Sequence, residues 1–179
     1  GRQRIALSGL PVIQPLVQLL RPKQWSKYLI CFACVIFCGH LAQPELLLRG
    51  LGAFAAFCAA ASAVYVLNDL ADAPRDRLHP RKRLRPVASG AVSPAVAVAL
   101  GLGLAVVTLA GSFALNVTTF LCIAAYLLVN VAYSLRLKHH PIIDVTCIAL
   151  GFSFRMLGGV FALPEKPTPW ITLCTFFLA

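Results

Sequence analysis

The sequence is short of charge, and above all of negative charge. Charged residues make up 12% of its 179 residues, and only six of them are Asp or Glu. A soluble domain normally carries roughly 25% charged residues. With a hydrophobic content of 59% and a mean hydropathy of +0.81, the chain is too apolar for a surface that faces water. The composition predicts an integral membrane protein, with the lipid bilayer as a partner.

The net charge of +10 would suggest a nucleic-acid partner in a soluble protein. Here the basic residues lie in short loops between apolar runs, a distribution that sets membrane orientation. Thirteen of the 16 Lys and Arg residues fall within residues 2–27, 75–85 and 136–138, which the predicted spans place on one side. We therefore predict no nucleic-acid partner. We expect a multi-pass protein of the cell (inner) membrane, with its N-terminus and its acidic loop in the cytoplasm.

Apolar runs of the length that crosses a bilayer, about 17–25 residues, follow one another along the chain. They predict an all-α, polytopic transmembrane helical bundle with five complete spans and the start of a sixth, as in the N-terminal part of a larger enzyme. The predicted spans are Trp25–Leu41, Leu46–Asn68, Pro94–Leu115, Val117–Leu137, Ile142–Leu163 and Pro169 onward.

Two regions are expected along the chain. Residues 1–24 are predicted to form a cytoplasmic or interfacial N-terminal segment, in which Pro11–Leu20 lies at the membrane interface. Residues 25–179 are predicted to form a transmembrane catalytic domain that is truncated at its C-terminus. We find no internal repeat, low-complexity tract or linker that would divide the chain further.

The seven cysteines all fall inside the predicted spans. We expect them to act as small apolar residues. Their odd number and their spread over different helices do not predict disulfides, and we expect no metal role for them.

The acidic residues carry the most specific signal. Asp69, Asp72 and Asp76 stand at positions i, i+3 and i+7, which share one face of a helix. Pro74 removes a helical hydrogen bond, so a break near Asp72 with a new turn at Pro74 is equally consistent. Either arrangement gathers carboxylate oxygens, which hold Mg²⁺ together with substrate phosphates. We predict the three aspartates to be catalytic metal ligands for Mg²⁺, with the Asn68 amide binding substrate beside them. The alternative is a solvated loop whose acidic residues pair with neighbouring arginines.

Six basic residues follow within residues 75–85. Guanidinium and ammonium groups suit phosphate oxygens, so we predict that Arg77, Lys82 and Arg85 bind a phosphorylated substrate. The alternative is that these residues only set the topology or contact anionic lipid.

Longer motifs resemble a known family. The acidic segment resembles the first aspartate-rich motif of the UbiA-type membrane prenyltransferase superfamily, in the pattern Asn68-Asp69-x-x-Asp72-x-x-x-Asp76. The following loop is similar to the decaprenyl-phosphate phosphoribosyltransferase branch, in the pattern His79-Pro80-x-Lys82-x-x-Arg85-Pro86-x-Ala88-Ser89-Gly90. Further similarity lies in residues 20–27, 132–138 and 151–159. The resemblance implies a bundle of roughly nine transmembrane helices around a central cavity.

Polar residues on two later spans are further candidates. Arg155 lies near the middle of the fifth span, where a charge costs about 2.5–3.5 kcal/mol. It shares a helix face with Gly151, and we expect this face to line a cavity in which Arg155 meets a phosphate or a carboxylate. A structural ion pair with another span is the alternative. Tyr133 and Lys138, on which a family motif falls, are predicted to bind substrate. Lys23 either binds at the headgroup layer or only snorkels.

The resemblance implies a membrane-embedded transferase. The expected reaction is Mg²⁺-dependent transfer of a 5-phosphoribosyl group from phosphoribosyl pyrophosphate to a polyprenyl (decaprenyl) phosphate, for cell-envelope polysaccharide precursors. One alternative is prenyl transfer from a polyprenyl diphosphate to an aromatic or other acceptor, and another is a membrane transporter. The residues alone indicate Mg²⁺, a diphosphate and a membrane, and a homo-oligomer is left open.

Overall fold

The computed structural model describes residues 13–135 and 141–177, and every regular element in these ranges is helical. The all-α prediction is confirmed. The α-helices are α1 (Ile13–Leu20), α2 (Ala33–Phe37), α3 (Pro44–Asp76), α4 (Pro94–Leu115), α5 (Val117–Leu135), α6 (Pro141–Phe161) and α7 (Pro169–Phe177). Three 3₁₀ helices cover Pro22–Phe32, His40–Ala42 and Lys82–Leu84.

Four of these helices, α3 to α6, are long and apolar enough to cross a membrane. Their positions agree with the second to fifth predicted spans, and α7 begins at Pro169, where the sixth span was predicted. A multi-pass helical bundle is therefore confirmed. The count of five complete spans and the division of the chain at residue 24 stay predictions.

The first predicted span, Trp25–Leu41, differs from a regular transmembrane α-helix. It consists of the 3₁₀ helix Pro22–Phe32, which continues into the five residues of α2. With a rise of about 2.0 Å per residue in the 3₁₀ part and about 1.5 Å in the α part, the two cover roughly 30 Å. This segment packs backbone against backbone on α6, because a Cβ atom on Gly159 would lie 2.3 Å from the Cys31 carbonyl oxygen.

Helix α3 is the longest element, with 33 residues and a length of about 50 Å. It continues past the predicted end at Asn68 and reaches Asp76, so the continuous helix is the arrangement observed for the acidic motif. Pro74 lies inside the helix with its ring exposed. Helical bonding resumes beyond it, since the Arg77 N–H donates to the Ala73 carbonyl at 3.2 Å.

An apolar cluster fixes the surroundings of the acidic end of α3. Leu19 of α1 packs with Val66 and Ala73 of α3, and Val87 and Val92 of the following loop join them. All five residues are buried. The cluster therefore holds both the end of α1 and the basic loop against the part of α3 that carries the aspartates.

Candidate active site

Two aspartates of α3 are almost fully buried. Asp69 is 2% exposed and Asp76 is 3% exposed. Arg21 Nη2 lies 2.5 Å from Asp69 Oδ1, while Arg85 Nη1 lies 2.7 Å from Asp76 Oδ2 and 3.6 Å from Asp69 Oδ1. A buried carboxylate is tolerated as an ion when it is paired and hydrogen-bonded. The two guanidinium groups supply that compensation, and Arg85 bridges both carboxylates.

Arg21 reaches Asp69 from an unusual backbone conformation. Its φ of 52° and ψ of 55° are left-handed, and it is the one non-glycine residue with a positive φ in the described part of the chain. The Arg21 guanidinium lies 5.0 Å from the centroid of the Tyr65 ring, and Ser62 Oγ donates to the Leu20 carbonyl at 2.9 Å. Such strained positions persist only where the surrounding contacts fix them, and they concentrate at functional sites.

Arg21 is not among the site residues that the sequence predicts. There it counts only toward the charge that sets membrane orientation, and Lys23 is the predicted residue of this segment. Lys23 is exposed, and its side chain makes no hydrogen bond or ion pair with the residues that the structure describes. The available signal was the position of Arg21 directly before Pro22, inside residues 20–27 that resemble the family.

The third aspartate, Asp72, is half-buried and faces a different neighbourhood. It lies within electrostatic range of Tyr133 of α5, as does Asp144 of α6. In residues 13–135 and 141–177, one group of three Asp, Glu, His or Cys side chains is close enough to share a metal ion. It consists of Cys38, His40 and Glu165, and it does not include the three aspartates. The three aspartates are thus on one part of α3 but do not form a joint oxygen cluster here, and their role as metal ligands stays a prediction.

Asn68 and Arg77 hold neighbouring parts of the structure together. Asn68 Oδ1 accepts a hydrogen bond from Ser134 Oγ, which fixes α5 beside the acidic motif. Arg77 Nε donates to the Ala88 carbonyl at 3.3 Å, so this guanidinium closes the basic loop on itself. Their predicted contact with substrate stays a prediction.

Of the other two predicted lysines, Lys82 lies in the described part of the chain. It is exposed, and its backbone N–H donates to His79 Nδ1 at 3.3 Å, which shapes the loop. Its ammonium group is therefore placed at the surface of the loop. Lys138 lies outside the described residues.

Arg155 lies in an aromatic cage inside the bundle. Its Cζ atom is 4.6 Å from the ring centroid of Tyr28, 5.4 Å from that of Tyr126 and 4.5 Å from that of Phe152. Cation–π contacts of this kind stabilise a guanidinium away from water. Among the described residues Arg155 forms no salt bridge, and its Nε is buried without a hydrogen-bond partner. The alternative of a structural ion pair therefore has no partner in this part of the chain.

A small polar cavity lies between α5 and α6, beside Arg155. Its volume is about 120 Å³. A Cβ atom on Gly151 would lie 3.4 Å from Arg155 Nη2, so the guanidinium lies over the glycine, as expected for residues on one helix face. A cation at the wall of a polar cavity suits an anionic group. The lining residues are Asn130, Tyr133, Cys147, Ile148, Gly151 and Arg155.

Comparison with known proteins places this arrangement in a family. The UbiA prenyltransferase family matches residues 28–179. The chain belongs to the UbiA prenyltransferase family. Among UbiA relatives it is 32% identical to the decaprenyl-phosphate phosphoribosyltransferases of Mycolicibacterium smegmatis and Mycobacterium tuberculosis, over 170 residues in each case. The match covers 93% of this chain and 54% and 56% of those proteins, so the chain spans about half their length.

Solved UbiA structures have the same fold. A UbiA homolog from Archaeoglobus fulgidus, bound to DMAPP and Mg²⁺, is 26% identical with a TM-score of 0.78. That match covers 92% of this chain and 60% of the homolog. A digeranylgeranylglyceryl phosphate synthase structure shares the fold, at 19% identity and a TM-score of 0.78. That match covers 93% of this chain and 58% of the synthase chain. The UbiA fold and the family resemblance seen in the motifs are confirmed.

Proposed function

We propose that the protein transfers a 5-phosphoribosyl group from phosphoribosyl pyrophosphate to a polyprenyl phosphate in the membrane, with Mg²⁺. One observation carries the proposal. Asp69 and Asp76 lie buried beside Arg21 and Arg85 at one end of a membrane-spanning helix. Groups that bind a divalent cation and groups that bind phosphate are thus side by side, as a magnesium–diphosphate complex requires.

The donor atoms fit Mg²⁺, which prefers carboxylate oxygens and is usually held by one or two carboxylates plus substrate phosphates. Asp69, Asp72 and Asp76 would hold the ion, and when bound it would neutralise charge on the departing pyrophosphate. Arg21 and Arg85 compensate the carboxylates in the structure described here. We propose that these guanidinium groups exchange their carboxylate partners for the phosphate oxygens of the donor.

The chemistry then needs little from the protein beyond binding and charge stabilisation. An oxygen of the lipid phosphate forms a bond to C1 of the ribosyl group, while the bond from C1 to the pyrophosphate oxygen breaks. The attacking phosphate is already anionic, so no strong general base is required. Arg21 and Arg85 stabilise the negative charge that develops on the leaving group.

The polar cavity between α5 and α6 is proposed to receive a second anionic group. Arg155 presents a guanidinium to it from an aromatic cage, and Tyr133 lies on the same wall. Ser134, the residue after Tyr133, donates to Asn68 Oδ1 of the acidic motif, so this wall of the cavity is close to the motif. We propose that it orients a phosphate of the donor or of the lipid, with Lys138 nearby in sequence.

Orientation and pathway belong to the same proposal. The excess of basic residues near the aspartates supports a cytoplasmic position for this end of α3. Phosphoribosyl pyrophosphate would thus reach the site from the cytoplasm and the polyprenyl phosphate from the bilayer. We propose that the product serves the synthesis of cell-envelope polysaccharide precursors.

The second candidate is prenyl transfer from a polyprenyl diphosphate to an aromatic or other acceptor. The UbiA homolog structures bound to DMAPP and GPP with Mg²⁺ favour it. Both donors present a diphosphate, so the aspartates do not discriminate between them. The phosphoribosyl donor has an additional 5-phosphate, which calls for further cations at the rim.

Calorimetry on the full-length protein with Mg²⁺ tests the choice of donor. We expect phosphoribosyl pyrophosphate to bind, and to bind more weakly after Lys82→Ala or Arg85→Ala. The exposed Arg49→Ala variant at the other end of α3 serves as the control. Tight binding of a polyprenyl diphosphate without detectable binding of phosphoribosyl pyrophosphate would favour prenyl transfer.

A further inference from the structure

A second group of metal-binding side chains lies far from the aspartates. Cys38, His40 and Glu165 each offer one ligand atom, and these atoms lie within 4.8 Å of one another. His40 Nε2 is 2.9 Å from Glu165 Oε1. Cys34 Sγ is 3.4 Å from Cys38 Sγ and brings a second sulfur to the group. Three donor side chains therefore meet, with the Cys34 sulfur next to that of Cys38, although Cys38 and Glu165 are 127 positions apart in the sequence.

The fold builds this group from two connections. Cys34 and Cys38 lie one helical turn apart, and the Cys38 N–H donates to the Cys34 carbonyl at 2.9 Å. Gly39 has a φ of +73°, a conformation that glycine adopts readily. The turn at Gly39 brings the ligand atom of His40 close to that of Cys38. Leu163 packs in one apolar cluster with Cys34, which holds the chain after α6, and with it Glu165, against this turn.

The donor atoms select the metal. Thiolate sulfur, imidazole nitrogen and carboxylate oxygen are the three ligand types of tetrahedral zinc sites. Magnesium and calcium prefer oxygen alone. His40 Nδ1 is buried and has no hydrogen-bond partner among the described residues, so the imidazole has a coordinating atom to spare.

We propose that Cys34, Cys38, His40 and Glu165 bind a zinc ion. The site lies just before the first residue of α3, whereas Asp69 and Asp76 lie near the last, so the length of that helix separates the two. The zinc would tie the chain before α3 to the chain after α6. Its role is structural, and it does not depend on which reaction the protein catalyses.

Metal content of the full-length protein tests the proposal. The protein is purified in detergent under a thiol reductant, loaded with zinc chloride and freed of excess metal by gel filtration. We expect one zinc per chain in the wild type and a loss of about 10-fold or more in affinity for Cys38→Ser and His40→Gln. Cobalt loaded in place of zinc should show thiolate-to-metal charge-transfer absorption that Cys38→Ser removes.

Two controls keep the result specific. Cys174→Ser removes an exposed cysteine of α7 that lies outside the group, and it should retain the zinc. Asp69→Asn should also retain it, which separates this site from the proposed magnesium site. Retention of zinc by both Cys38→Ser and His40→Gln overturns the proposal. Recovery of Cys34 and Cys38 as a disulfide from unreduced membranes, with no bound metal, overturns it as well.

Discussion

Arg21 and Asp69, 48 positions apart in the sequence, form an ion pair of 2.5 Å at the acidic end of α3. The contact joins the strained turn that follows α1 to a carboxylate that is almost completely shielded from solvent. In the proposed function these two groups bind different parts of a magnesium–diphosphate complex, so the donor would displace their contact. The pair would then connect the stability of the ligand-free protein with the binding of the donor.

Replacing Asp69 tests the predicted metal ligand. Asp69→Asn removes one negative charge from a site that has few ligands, so transfer should fall by about 100-fold or more. Insertion into the membrane and folding should persist, because Asn keeps the shape of the side chain. Glu45→Gln, at the exposed start of α3, is the matched control and should retain activity. The measurement is initial rate in detergent, with size-exclusion profiles as the test of folding.

Arg21→Ala should lower both stability and donor affinity. It leaves a buried carboxylate with only the 3.6 Å contact to Arg85, which should destabilise the protein by about 1–3 kcal/mol. Thermal unfolding in detergent measures the first effect, and the KM for the donor measures the second. Arg49→Ala removes an arginine from an exposed ion pair and should change neither by a measurable amount. Equal behaviour of the two variants would show that Arg21 acts only in membrane orientation.

Gly159 is predicted to be intolerant of any side chain. A Cβ atom there would lie 2.3 Å from the Cys31 carbonyl oxygen, so Gly159→Ala forces two backbones apart and should destabilise the protein by about 1–3 kcal/mol. Gly103→Ala is the control, since nothing lies within 4 Å of its added methyl group and helix α4 should gain about 0.5–1 kcal/mol. Comparison of their melting temperatures checks the packing of the 3₁₀ segment on α6.

Arg155→Leu separates a site role from a structural one. The cage of Tyr28, Tyr126 and Phe152 can accommodate an apolar side chain, and the change removes an intramembrane charge, so stability should change little. Transfer should nevertheless decrease, and Arg155→Lys should restore part of it. If Arg155→Leu unfolds the protein while activity per folded molecule is unchanged, the arginine is structural.

Regular helices with local signals could be predicted from the sequence. Helix α4 has the predicted bounds, because Ser93 caps it by accepting from the Val96 N–H at 3.3 Å and Pro94 stands at its first position. The apolar runs of α5 and α6 were equally readable. Pro74 left two possibilities for the acidic motif, and only the packing of α3 against its neighbours decided between them.

The parts that sequence reasoning did not find depend on contacts between distant segments. The residue before a proline is normally extended, so the left-handed conformation of Arg21 could not be expected. Its partner Asp69 lies on another helix. The 3₁₀ winding of the first span was also hidden, since an apolar run has the same composition in either helix type. The contact of His40 with Glu165 was likewise hidden, because the two residues lie 125 positions apart in the sequence.

The proposed reaction is tested most directly by product formation. The full-length protein, purified in detergent, is incubated with Mg²⁺, phosphoribosyl pyrophosphate and a polyprenyl phosphate, and the lipids are analysed by mass spectrometry. We predict a phosphoribosylated polyprenyl phosphate and released pyrophosphate, both lost with Asp69→Asn and with chelation of Mg²⁺. Absence of this product, together with prenylation of an aromatic acceptor from a polyprenyl diphosphate by the same preparation, would contradict the proposed function.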